Sequence, residues 1–99
     1  NIGHGVKEIA DAVYAQITKL AYAPTHAFTS EPIEALAKLV IEAFAPAGMD
    51  RVWFVSGGSE ATESAIKMAL QYHRDRGQPT KHAVISRWSS YHGSTFGAM

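Results

Sequence analysis

The chain has 99 residues, 46% of them hydrophobic, with no low-complexity tract, a composition suited to one small globular domain. Nine basic and nine acidic side chains cancel, so no charge excess points to nucleic acid or an anionic membrane surface, and any anion must be bound by a local site. Cysteine is absent, which excludes a disulfide framework or a thiolate metal site and fits a reducing compartment such as the cytoplasm; no apolar run of about 18 residues offers a membrane span.

Ile2-Gly3-His4-Gly5 reads as a turn, with His4 a surface or capping residue. Over residues 5–21, Val6, Ile9, Ala10, Val13, Ile17 and Leu20 recur at helical spacing and form one apolar stripe of an amphipathic helix. Pro24 breaks that period, and the aromatic and imidazole groups of Tyr22, His26 and Phe28 fall on a loop over 22–29. A second helix is expected from Ser30 as N-cap to about Phe44. Glu31 and Glu34 stand in its first turn, and Pro32 sits where a missing N–H does no harm. Its stripe is Ile33, Leu36, Ala37, Val40 and Phe44, and Pro46-Ala47-Gly48 ends it.

The apolar run 52–55 suits a strand buried on both faces, and 60–76 has helical spacing through Ala65, Ile66, Ala69 and Leu70. Glu63 and Lys67 are spaced for a weak surface ion pair, and Arg74-Asp75-Arg76-Gly77 with Pro79 closes the helix. A second strand is expected at 83–86. Strand, helix and strand then make one right-handed crossover unit after two helices, an α/β arrangement. Two parallel strands need cover on both faces, and the sequence opens without an initiator methionine and stops at Phe96-Gly97-Ala98-Met99, where an apolar element is starting. The expectation is a fragment of a longer protein.

Between the first strand and its helix stand Ser56-Gly57-Gly58-Ser59-Glu60-Ala61. Glycine lets an anion approach the backbone amides closely. Ser59 is placed as N-cap, its hydroxyl taking a first-turn N–H or turning to a ligand, and the unpaired N–H groups of a helix start hold a phosphate without a lysine. The plainer alternative is a tight turn with a capping serine. Loops after consecutive parallel strands emerge on one sheet edge, so Tyr91 and His92 of Trp88-Ser89-Ser90-Tyr91-His92-Gly93-Ser94-Thr95 are expected beside the glycine turn.

Other chemistries compete for this loop. Gly57-Gly58-Ser59-Glu60-Ala61 approximates a nucleophile elbow with Ser59 as the nucleophile of a serine hydrolase and His92 as a possible base, although Ala61 replaces the final glycine. A nucleotide site lacks its glycine fingerprint and its Gly-Lys-Ser/Thr. The five histidines, His4, His26, His73, His82 and His92, include no pair spaced three or four apart on one helix, so no metal site is expected. A non-catalytic structural or interaction domain is the third class, in which the glycines serve chain reversal alone.

The run Phe54-Val55-Ser56-Gly57-Gly58-Ser59-Glu60-Ala61-Thr62-Glu63-Ser64-Ala65-Ile66-Lys67-Met68-Ala69, followed by Tyr91-His92-Gly93-Ser94-Thr95, resembles the class III aminotransferases, the omega-transaminase group of fold type I pyridoxal phosphate enzymes. Ile2-Gly3-His4-Gly5 and the Ser30-Glu31-Pro32 helix start look like the same family. Its cradle usually reads Asn-Ser-Gly-Ser/Thr-Glu-Ala, and Ser56-Gly57 here replaces Asn-Ser.

The resemblance implies that Gly58 and Ser59 bind the phosphate of pyridoxal 5'-phosphate, that Tyr91 stacks on the pyridine ring and that His92 adjoins it. It implies that 1–28 is part of a small N-terminal domain with an interface loop, and that 29–99 begins a large cofactor-binding domain with a parallel-rich sheet between helices. The family's Schiff-base lysine and pyridine-nitrogen aspartate have no matching position in this sequence, and Lys67, well inside its helix, is no substitute. The implied activity is amino transfer from an amine or amino acid to a keto acid or aldehyde. The implied assembly is a homodimer, with Tyr22, His26 and Phe28 reaching a substrate pocket. Neither nucleic acid nor membrane is an expected partner.

Overall fold

Three helices form the regular structure of the computed structural model, which describes residues 2–99; Asn1 lies outside the described residues. Helix α1 (Lys7–Lys19) follows a bend at His4 flanked by Gly3 and Gly5, and closes with the Leu20 N–H on the Gln16 carbonyl at 2.8 Å. Helix α2 (Glu31–Phe44) starts where Ser30 and Pro32 predict, although Ser30 caps through its extended backbone and not its hydroxyl. Glu34 instead accepts the Thr29 hydroxyl at 2.6 Å.

Helix α3 (Gly58–Asp75) begins one residue before Ser59, with Gly57 as N-cap. This corrects the expected Ser59 cap: Ser59 occupies the second helical position, too far into the turn to cap it. The C-terminus ends on a left-handed glycine, Gly77 at φ 70°, with the Gly77 N–H on the Arg74 carbonyl (3.0 Å) and the Gln78 N–H on the His73 carbonyl (2.9 Å). That pair of bonds satisfies carbonyls a helix end otherwise leaves open.

The segments 52–55 and 83–86, expected as strands, are irregular: neither belongs to a strand, and no strand occurs among the described residues. A strand exists through its ladder, and the apolar side chains that marked these runs stand open: Trp53 is 73% exposed and Ile85 97%. The stripes of the first two helices are open in part, with Leu20 42% and Phe44 79% exposed while Val6, Ile33, Ala37 and Val40 are half-buried. The residues group into two compact units, Asn1–Val52 and Trp53–Met99. The first holds α1 and α2, and Lys19 at the end of α1 meets Glu31 at the start of α2 at 2.6 Å. The second holds α3 and the 91–99 segment that folds onto its first turns, with Gly93 and Ala98 as its buried residues. No described helix is long and apolar enough to cross a membrane.

Candidate functional site

The first turn of α3 is built around donors. Its intrahelical ladder opens with the Ala61 N–H on the Gly57 carbonyl (3.0 Å), and no side chain caps it. The N–H groups of Gly58, Ser59 and Glu60 therefore carry the positive end of an 18-residue helix dipole. A Cβ at Gly57 or Gly58 would meet nothing within 4 Å, and neither residue is in the left-handed region. Glycine is thus not required here by the turn. What it leaves is open space where a side chain would otherwise stand.

Glu60 places one carboxylate in this electropositive turn and Glu63 a second one turn further on, and each is tied down by a hydrogen bond. Glu60 reaches back to accept both the N–H (3.0 Å) and the hydroxyl of Ser56, in the manner of a capping box shifted by one residue. The Ser56 hydroxyl first, and its backbone N–H second, hold the Glu60 carboxyl below its ordinary value of 4.5. Glu63 accepts the Gly97 N–H at 2.7 Å. That bond is the largest cause lowering the Glu63 carboxyl; the Thr95 side chain adds to it, although Thr95 Oγ1 has no partner at full hydrogen-bond geometry, and the Lys67 charge contributes least. The surface pair expected between Glu63 and Lys67 is accordingly replaced by a bond to backbone 34 residues away.

Two further bonds join α3 to the segment after Tyr91. The Ser94 N–H donates to Ser59 Oγ at 3.0 Å, and the Thr62 hydroxyl lies 2.9 Å from the His92 carbonyl and 3.1 Å from the Gly58 carbonyl. Ser59, Thr62 and Glu63 share one helix face by their spacing of three and four. Between them Gly93 is buried, at φ 141°; a Cβ there would stand 2.7 Å from the Ala98 Cβ and 2.8 Å from Ser59 Oγ. The expected juxtaposition of the glycine turn with the Tyr91-His92 loop is therefore present, carried by backbone of the loop and side chains of the helix. The Tyr91 side chain is 82% exposed and that of His92 is also open.

Thr62 and Glu63 were not among the expected site residues. The signal that could have found them is a polar file, Ser59, Thr62 and Glu63, on the face of a helix whose other stripe is apolar.

Ser59 does not have the form of a nucleophile elbow. Elbow serines sit on a strained turn, whereas Ser59 is helical, and Ser89 is the one non-glycine residue at positive φ among the described residues. Its Oγ accepts Ser94, and His92 approaches this face through its carbonyl and not its ring. Among the described residues no three His, Cys, Asp or Glu side chains cluster as metal ligands.

Tyr22, His26 and Phe28 lie in the first unit. Their loop turns over Thr25–Ala27, held by the Phe28 N–H on the Pro24 carbonyl at 2.9 Å, and all three side chains are exposed. An open groove of ≈ 650 Å³ runs nearby between Leu20 and Pro32, and none of the three lines it.

The class-III aminotransferase family model matches residues 1–99. An uncharacterised aminotransferase of Bacillus subtilis, YodT, is 43% identical over 99 residues, all of this chain and 22% of its own length. The putrescine–pyruvate aminotransferase of Pseudomonas aeruginosa is 38% identical over 96 residues (96% of this chain, 21% of the relative), and the omega-aminotransferase of Caulobacter vibrioides 37% over 103 residues (100% and 22%). The chain spans about a fifth of the length of these curated relatives. With the family model covering every residue and relatives at this identity across the whole chain, the protein belongs to the class-III aminotransferases.

Proposed function

We propose that the full-length protein is a pyridoxal phosphate-dependent aminotransferase and that this chain supplies the grip on the cofactor. The observation that carries the reading is the donor set at the start of α3. The N–H groups of Gly58, Ser59 and Glu60 precede the first intrahelical bond and have no side-chain cap, and a Cβ at Gly57 or Gly58 would meet nothing within 4 Å. Ser59 adds a hydroxyl whose oxygen already accepts the Ser94 N–H, leaving its proton to donate. Open donors at a helix N-terminus, with the Glu60 carboxylate engaged by Ser56, fit a phosphate dianion.

Bound there, the cofactor supplies an electron sink for the carbon that loses its proton during amino transfer. The chain's own residues hold and orient it. Gly58 and Ser59 fix the phosphate end. Tyr91, three residues before the Ser94 anchor, offers an aromatic face to the ring, and His92 stands beside it. Anchoring at two points fixes the ring plane and so the direction in which a bond can be broken.

In this reading 1–28 is part of a small N-terminal domain, and 29–99 begins the large domain of a fold type I enzyme, where 52–55 and 83–86 enter a parallel-rich sheet as partner strands join them. The assembly is a cytoplasmic homodimer, with Tyr22, His26 and Phe28 on the substrate side. The relatives' names include a putrescine–pyruvate and a diaminobutyrate–2-oxoglutarate enzyme, so the donor class is an amine or amino acid and the acceptor a keto acid or aldehyde. Full-length protein should bind pyridoxal phosphate and absorb in the visible. Tyr91→Ala should weaken that binding by roughly three- to tenfold, the worth of one aromatic contact, and shift the visible band. An unchanged spectrum and affinity would remove Tyr91 from the site.

A further inference from the structure

Among the described residues, the Thr62 hydroxyl is the one side-chain group within hydrogen-bond distance of backbone carbonyls in both halves of the site. It lies 3.1 Å from the carbonyl of Gly58, the first residue of the cradle, and 2.9 Å from the carbonyl of His92, next to Tyr91. A threonine in a helix commonly returns its proton to the carbonyl four residues back. Here the nearer acceptor is the one 30 residues away, so the single proton is shared between helix and loop. Ser59 and Glu63 hold the loop on either side through the N–H groups of Ser94 and Gly97, at 3.0 and 2.7 Å. Those two bonds fix the chain after His92. Among the described residues, only Thr62 takes a backbone group of His92 itself.

We infer that Thr62 is a positioning residue, whose hydroxyl sets the distance and orientation of the Tyr91-His92 loop relative to the phosphate cradle. The role rests on the cofactor reading above. It assigns Thr62 no contact with cofactor or substrate: it acts through the His92 carbonyl on the side chains that make those contacts. Valine keeps the shape of threonine and removes the proton, while serine keeps the proton and loses a methyl group.

The test uses full-length protein with Thr62→Val and Thr62→Ser. Three readouts are taken: affinity for pyridoxal phosphate, with visible circular dichroism of the bound form; affinity for inorganic phosphate, which probes the cradle alone; and hydrogen exchange of amides 93–97 in cofactor-free protein. Thr62→Val should weaken pyridoxal phosphate by roughly three- to tenfold, the worth of one hydrogen bond, and change the dichroic band. It should leave inorganic phosphate affinity unchanged and speed exchange at 93–97. Thr62→Ser should restore all of these. Unchanged affinity and dichroism in Thr62→Val overturn the inference. So does a parallel loss of inorganic phosphate affinity, which would mean a distorted cradle. Wild-type protein that binds no pyridoxal phosphate overturns the cofactor reading and the positioning role with it. Exchange at 93–97 separates the two failures: rates equal in wild type and Thr62→Val overturn the hold of Thr62 on the loop, whether or not the cofactor binds.

Discussion

The two compact units are held by different kinds of contact. In the first, α1 and α2 are joined by an exposed pair, Lys19 with Glu31, and their apolar stripes meet no described partner. In the second, three side chains of α3 each take a backbone group 30 to 35 residues away, and Gly93 and Ala98 are buried beneath them. Exposed ion pairs contribute little and are screened by salt, whereas bonds from fixed side chains to backbone set a register. The difference teaches that local precision can be present where bulk packing is not: the loop beside the cradle is specified by polar bonds before any large core covers it.

The largest effect should come from the second unit's glycine contact. Gly93→Ala forces a Cβ into Ser59 and Ala98 and places alanine at φ 141°, which together should cost about 2 to 4 kcal/mol of stability and abolish measurable cofactor binding. Denaturant unfolding and a cofactor titration check it, and a stable variant that binds normally would show that the close approach is not needed. Gly58→Ala should do the opposite at a site that looks similar. A Cβ there meets no protein atom and helix propensity favours alanine, so stability should hold or rise by up to about 1 kcal/mol while pyridoxal phosphate affinity falls. Loss of stability with intact affinity would reverse the assignment of those two glycines.

The smallest effect separates the units by salt. The Glu31 carboxyl is lowered by its hydrogen bond to Lys19 and then by that charge, the Glu63 carboxyl first by the Gly97 N–H. Because both lie below the ordinary 4.5 in the folded chain, each contributes stability that is complete above that value and lost as pH falls through the lowered one. In carboxyl NMR titrations at low and high salt, the lowering at Glu31 should shrink as the ion pair is screened, and that at Glu63 should persist. Equal salt sensitivity at both would contradict the contrast between the units.

Much of this was readable from residue order, and the failures share one cause. Ser30 and Pro32 mark the start of α2, and Gly77 with Pro79 marks the end of α3, because caps are local chemistry. The cradle and its companion loop were legible as motifs. A serine after glycines reads as a cap, and Ser59 is not one: its oxygen accepts the Ser94 N–H, a tertiary contact that no local rule contains. Helical spacing pairs Glu63 with Lys67, whereas the fold gives its carboxylate the Gly97 N–H for the same reason. The runs at 52–55 and 83–86 have the apolar pattern of strands and pair with nothing among the described residues, because a ladder needs neighbours that spacing does not supply.

The central claim is that the start of α3 grips a phosphate while the Tyr91 loop grips a ring. It is tested most directly by comparing affinities for pyridoxal phosphate and for pyridoxal, which lacks the phosphate, in full-length wild-type, Ser59→Ala and Tyr91→Ala proteins. Ser59→Ala removes one hydrogen bond to a charged group, so its preference for the phosphorylated form should fall by roughly ten- to a hundredfold, while Tyr91→Ala weakens both ligands and leaves the preference intact. A preference unchanged in Ser59→Ala would contradict the account.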